Sequence, residues 1–136
     1  MIGIIIVTHE SLGDAYRSLD EHFFPEPPES VMLVGVERTE DHDDIIRHIL
    51  TMIKDADHGH GVLVLTDIFG ATPCNAARKM VVPGKVAMLT GLNAPMLIKA
   101  VQYAPAATDL AAFTENVRQA AINGIIAITT PPEEGC

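Results

Sequence analysis

At 136 residues with 48% apolar side chains, the chain has the length of one domain and can build a full core, which argues against two domains and against extensive disorder. Its formal net charge is −9, with only nine Lys and Arg in total, so nucleic acid and anionic membrane are disfavoured as partners. No apolar run approaches the roughly 20 residues that span a bilayer, MIGIIIVTHE lacks the basic segment and cleavage site of a signal peptide, and Cys74 and Cys136 make no disulfide framework; a reducing, cytoplasmic setting and no stable membrane insertion are expected.

Two periodicities alternate along the chain. Ile2 to Thr8 is a continuous β-branched apolar run, the pattern of a strand buried on both faces. Leu12, Ala15, Tyr16, Leu19 and Phe23 follow helical spacing and predict an amphipathic helix, ended by EPPES. Val31 to Val36 reads as a second strand. Asp41 and Asp44 place acidic groups at a helix start, and Ile45, Ile46, Ile49, Leu50 and Ile53 supply its stripe. Asp57 to Gly61 is a turn, and Val62 to Thr66 a third strand. Thr72 can cap a helix with Pro73 in its first turn, its inner face being Ala76, Ala77, Met80 and Val81. Lys85 to Thr90 is a fourth strand and Asn93 to Ala104 a helix. Thr108 to Ala121 is another helix, stopped by Asn123-Gly124. Ile125 to Thr129 reads as a last strand. Residues 1–130 are expected to form a single domain and residues 131–136 a disordered tail. Strands alternating with helices predict an α/β fold with a mainly parallel sheet and helices on both faces.

The strand ends carry the chemistry. The first strand ends in Thr8-His9, the third in Thr66-Asp67 and the fourth in Thr90-Gly91. In an open α/β sheet the ligand crevice lies outside the carboxyl ends of the strands, at the switch point. Strands one and three are expected to be neighbours there, so His9 and Asp67 should project into one crevice. A carboxylate accepting from Nδ1–H fixes the imidazole tautomer and leaves the Nε2 lone pair outward as a nucleophile. Gly70, Ala71 and Thr72 lead into a helix start, where free N–H groups bind anions, so they are the expected phosphate cradle. A lone histidine at a strand end is commonly structural and an aspartate there commonly a turn residue; their joint placement favours the functional reading.

Three motifs, IIIVTHESLG with His9, LTDIFGATPCNAA with Asp67, and LTGLNAPML, resemble the mannose-type IIA domains of the bacterial phosphoenolpyruvate-dependent sugar phosphotransferase system. The resemblance runs from Ile2 to about Ile128, and its second motif is the most specific. It implies a three-layer α/β/α sandwich with a parallel sheet of order 2-1-3-4 and an antiparallel C-terminal strand, Ile125 to Thr129, exchanged across a homodimer. It implies that His9 accepts a phosphoryl group from the carrier HPr and passes it to a IIB component, for sugar uptake or to a regulatory target. Asp67 orients His9, and Thr72 matches the phosphate-binding hydroxyl. Glu10 stands where this family usually has glycine, Ala71 where it often has glycine, and Leu92 where it usually has valine. The alternative is a signalling or docking module on the same fold that is never phosphorylated.

No cofactor and no metal are expected. The run Asp55 to His60 holds two histidines two residues apart but lacks a third ligand at motif spacing, and is read as a solvated turn. His42 and His48 do not share a helix face and are expected to be exposed. Cys74 in a first helical turn is read as a small buried side chain rather than a redox thiol. Phe69, beside the crevice, is expected to help dock a protein partner or to turn into the core.

Overall fold

The computed structural model describes residues 1–24, 31–36, 41–68 and 77–132. The elements are β1 (Gly3–His9), α1 (Leu12–Phe23), β2 (Val31–Val36), α2 (His42–Ala56), β3 (Val62–Thr66), β4 (Val86–Leu89), α3 (Ala94–Tyr103), a 3-10 turn (Ala104–Ala106) and α4 (Leu110–Asn123). The four strands form one parallel sheet of order β2-β1-β3-β4, as the resemblance implied. Alternate residues of β1 and β3 feed two cores. Ile4, Ile6, Leu63 and Leu65 pack with Leu97, Val101, Phe113 and Val117 from α3 and α4 on one face. Ile5, Val7, Val62 and Val64 pack with Ile45, Ile49 and Ala56 of α2 on the other. Burial on both sides is why these strands read as unbroken apolar runs. Asn93 and Asp109 cap α3 and α4, accepting from the N–H groups of Met96 at 2.9 Å and Ala112 at 3.1 Å. Asp41 precedes α2 without such a bond.

Three expectations need correction. Only part of the stripe read for α1 faces inward: Tyr16 packs on the core and Leu19 is partly buried, but Leu12 is 43% and Phe23 53% exposed and Ala15 is exposed, whereas Gly13 and Asp20 are buried. The Gly13 N–H donates to the buried Thr8 Oγ1 at 2.8 Å, which holds this first turn of the helix against the end of β1. Leu50 and Val81, expected inside, are each 45% exposed. His42 is half-buried, 3.1 Å from Lys79 Nζ, while His48 is exposed as expected. Residues 125–129 form no strand within the single chain, and Ile125, Ile126 and Ile128 are 75%, 74% and 78% exposed. β4 is an edge of the sheet, so a segment that pairs only with another chain would look this way.

Asp20 is 3% exposed, and its Oδ1 has no partner among the described residues. Burial first, and the charge of Glu21 second, push its carboxyl up to about 6. The folded state therefore holds this proton more tightly than the unfolded chain, whose value is about 3.9. Stability is fullest below about pH 4 and falls as pH rises towards 6. Asp20→Asn should stabilise the protein by about 2 kcal/mol at pH 8, and by under about 1 kcal/mol at pH 4.5. Urea unfolding at the two pH values checks this, and an equal gain at both would remove ionisation as the cause.

Candidate functional site

β1 and β3 run side by side and in the same direction, with Val7 opposite Thr66, so both chains leave the sheet at the same edge. The end of β1 is fixed from beneath. Thr8 is fully buried and holds the first turn of α1 through Gly13. Glu10 then turns the chain with φ 44°, the one non-glycine residue with positive φ among the described residues. β2 backs this turn closely: a Cβ on Gly35 would lie 2.6 Å from the Glu10 carbonyl oxygen.

His9 and Asp67 meet in this arrangement. The His9 backbone N–H donates to Asp67 Oδ2 at 3.0 Å, and ring Nδ1 lies 2.8 Å from the same oxygen. The N–H of Ile68 donates to Oδ1 at 2.9 Å. The Asp67 side chain is 6% exposed and that of His9 45%. Burial raises the affinity of Asp67 for its proton, but the bonds from the backbone and ring of His9 and from Ile68 outweigh it, so the carboxyl lies below its ordinary value. Asp67 is therefore ionised at neutral pH, and Nδ1 carries the ring hydrogen when the imidazole is neutral. Nε2 is left with its lone pair on the exposed side of the pair.

The apolar stripe of α1 gives no hint of the polar role of Tyr16. Its hydroxyl donates to the Leu92 carbonyl at 3.0 Å, and the Leu92 N–H donates to the Thr66 carbonyl at 2.9 Å. The two bonds tie α1 and the β4–α3 connection to the end of β3, just before Asp67. Burial, and then the negative charge of Asp67, raise the phenol further above its ordinary value, so it remains a donor. A tyrosine in a helical stripe carries a polar tip that needs a partner, and that was the available signal. Ile68 is 59% exposed, so with Leu12 an apolar side chain stands in the residues just after each of the paired side chains.

The expected phosphate cradle, Gly70, Ala71 and Thr72, lies outside the described residues, as do Phe69, Pro73, Cys74, Ala76 and Cys136. Among the described residues no group of three or more His, Cys, Asp or Glu is placed to hold a metal ion. Asp57 Oδ1 accepts from the N–H groups of Gly59 at 2.8 Å and Gly61 at 3.3 Å, which makes the 57–61 segment a side-chain-braced turn. His60 Nδ1 lies 2.9 Å from the N-terminal nitrogen. No described helix is long and apolar enough to cross a membrane.

Residues 3–118 match the EIIA-man family, described as the PTS system fructose IIA component. Solved structures agree. A phosphotransferase system component EIIA from Streptococcus agalactiae is 27% identical, with a TM-score of 0.83 over 93% of this chain and 97% of that one. A mannose/sorbose-specific IIA subunit from Enterococcus faecalis is 19% identical, with a TM-score of 0.83 over 98% of each chain. A PTS IIA protein associated with the fucose utilization operon of Streptococcus pneumoniae is 23% identical, with a TM-score of 0.72 over 86% and 88%. The last two show likeness of fold.

Proposed function

The chain belongs to the EIIA-man family of phosphotransferase components, which relay phosphoryl groups in sugar uptake, and from that premise we propose that His9 is the residue that carries the phosphoryl group. The observation that supports this reading is the 2.8 Å contact between Nδ1 and Asp67, which leaves Nε2 as the one ring nitrogen free to attack. The donor is the phosphohistidine of HPr and the acceptor a IIB component, both in the cytoplasm. Nε2 uses its lone pair to form the new N–P bond. The donor's N–P bond breaks and its ring keeps that electron pair. The donor imidazolium becomes a neutral imidazole, and His9 becomes the cationic ring, so no proton need move. Asp67 stabilises that cation through Nδ1–H. Gly70, Ala71 and Thr72 are proposed to hold the phosphoryl oxygens. The exposed Leu12 and Ile68 give a protein partner apolar footholds beside His9.

Incubation with enzyme I, HPr and labelled phosphoenolpyruvate tests the reading. One acid-labile label per chain is expected, at His9, and addition of a IIB component should remove it. An unlabelled chain would favour the docking module instead.

The working form is proposed to be a homodimer. Ile125, Ile126 and Ile128 are exposed and belong to no strand among the described residues, and beside the β4 edge lies a cavity of ≈ 470 Å³ lined by Met88, Leu89, Met96, Ala121, Ile122 and Ile125. Exchange of residues 125–129 would pair that edge and cover this apolar surface. Deleting the chain from Gly124 onward should shift sedimentation from dimer to monomer. A full-length monomer at micromolar concentration would sink the idea.

A further inference from the structure

The hydroxyl of Tyr16 reaches out of α1 to the Leu92 carbonyl at 3.0 Å, and the Leu92 N–H donates to the Thr66 carbonyl at 2.9 Å. The place of that last acceptor matters. The β3–β4 ladder ends at the pair Leu65 and Leu89, so Thr66 lies one residue beyond it and Asp67 two. On the β1 side Thr66 is still in register with Val7. On the β4 side its carbonyl is held by Leu92 instead of by a strand. The Thr66 hydroxyl adds no hold of its own, being fully buried with no hydrogen-bond partner among the described residues. Leu92 is gripped in turn from two sides. Asn93 next to it donates to the Ala121 carbonyl of α4 at 3.1 Å, and Tyr16 anchors it to α1.

The residue after Thr66 is the one whose carboxylate lies 2.8 Å from His9 Nδ1. A hydrogen bond weakens steeply once its geometry opens, so the end of β3 has to be held in place. We propose that Tyr16 is a positioning residue for the phosphoryl-transfer pair: through Leu92 its hydroxyl fixes the end of β3 and so keeps the Asp67 carboxylate against Nδ1. A phenyl ring would fill the same space beside the core, so the hydroxyl is the part that packing does not call for. Burial, and then the charge of Asp67, keep that hydroxyl protonated and therefore a donor. This inference rests on His9 and Asp67 being the working pair.

The test is Tyr16→Phe in the full chain, which keeps the ring and removes the hydroxyl. The first readout is nitrogen-15 NMR of the His9 ring at about pH 9, above the ordinary imidazole range. Wild type should show the Nδ1–H form. The variant should gain the Nε2–H form, because a displaced carboxylate no longer selects the tautomer. The second readout is the rate of phosphoryl uptake from N-phosphorylimidazole, a small donor free of protein docking. Tyr16→Phe should slow uptake by about three- to tenfold, the worth of one hydrogen bond. In an Asp67→Ala background the same change should have no further effect, since Tyr16 acts through Asp67. A tautomer unchanged by Tyr16→Phe overturns the proposal, even if the variant melts at a lower temperature, because the hydroxyl would then serve the fold alone. An equal loss of rate in both backgrounds also overturns it. If no chain takes up phosphate at His9, the reading of His9 fails, while the ring signals still decide whether Tyr16 positions the pair.

Discussion

His9→Ala is expected to abolish phosphoryl transfer outright, not merely to slow it. The side chain forms the covalent bond to phosphorus, and an alanine methyl group has no lone pair to replace it. The chain has six histidines, yet among the described residues only His9 is paired with a carboxylate. His42 lies against Lys79, and His60 against the N-terminal amine, so neither has a tautomer set by an acid. The fold should survive the change. The His9 ring is 45% exposed, and its backbone N–H bond to Asp67 does not depend on the side chain. Loss of this one part-buried hydrogen bond is expected to cost about 1 kcal/mol. Single-turnover labelling from phosphorylated HPr, together with a thermal melt, separates chemistry from folding. A folded His9→Ala protein that still takes up label would show that another nucleophile does the work.

The parts of this molecule that were legible in sequence are those made by apolar burial. β1 and β3 are covered on both faces, and that requirement writes itself as IIIV and VLVL. The site was legible because topology brings two strand ends together: once β1 and β3 are neighbours, His9 and Asp67 have one crevice to share. What was not legible rests on polar or small groups. In α1 a Gly13 N–H meets a buried Thr8 hydroxyl, Asp20 is buried, and Leu12 and Phe23 are exposed. Apolar spacing weighs none of those. The left-handed backbone at Glu10 carries no signal either, since sequence announces such a turn with Gly or Asn. Ile125 to Ile128 were visible as apolar, but that they pair with no strand among the described residues is not written in the local pattern.

Asp67→Ala is expected to slow transfer to His9 by about 10²- to 10⁴-fold and to leave measurable activity, the usual range for a positioned acid–base or electrostatic group. Asp67 forms no bond to phosphorus. It fixes the tautomer that frees Nε2 and faces the charge that develops on the ring. Both are matters of degree, so their loss is partial. Asp67→Asn should fall between wild type and alanine for a structural reason. The carboxylate accepts three bonds, from the backbone and ring of His9 through Oδ2 and from Ile68 through Oδ1. An amide has one oxygen, so it can keep the His9 side of this set only by turning its NH₂ towards the Ile68 N–H, donor against donor. It also lacks the full charge. Hydrogen bonds from His9 and Ile68 hold the Asp67 carboxyl below its ordinary value, so it is ionised at neutral pH. Rapid-quench transfer rates from phosphorylated HPr provide the measurement, and wild-type rates in both variants would remove Asp67 from the mechanism.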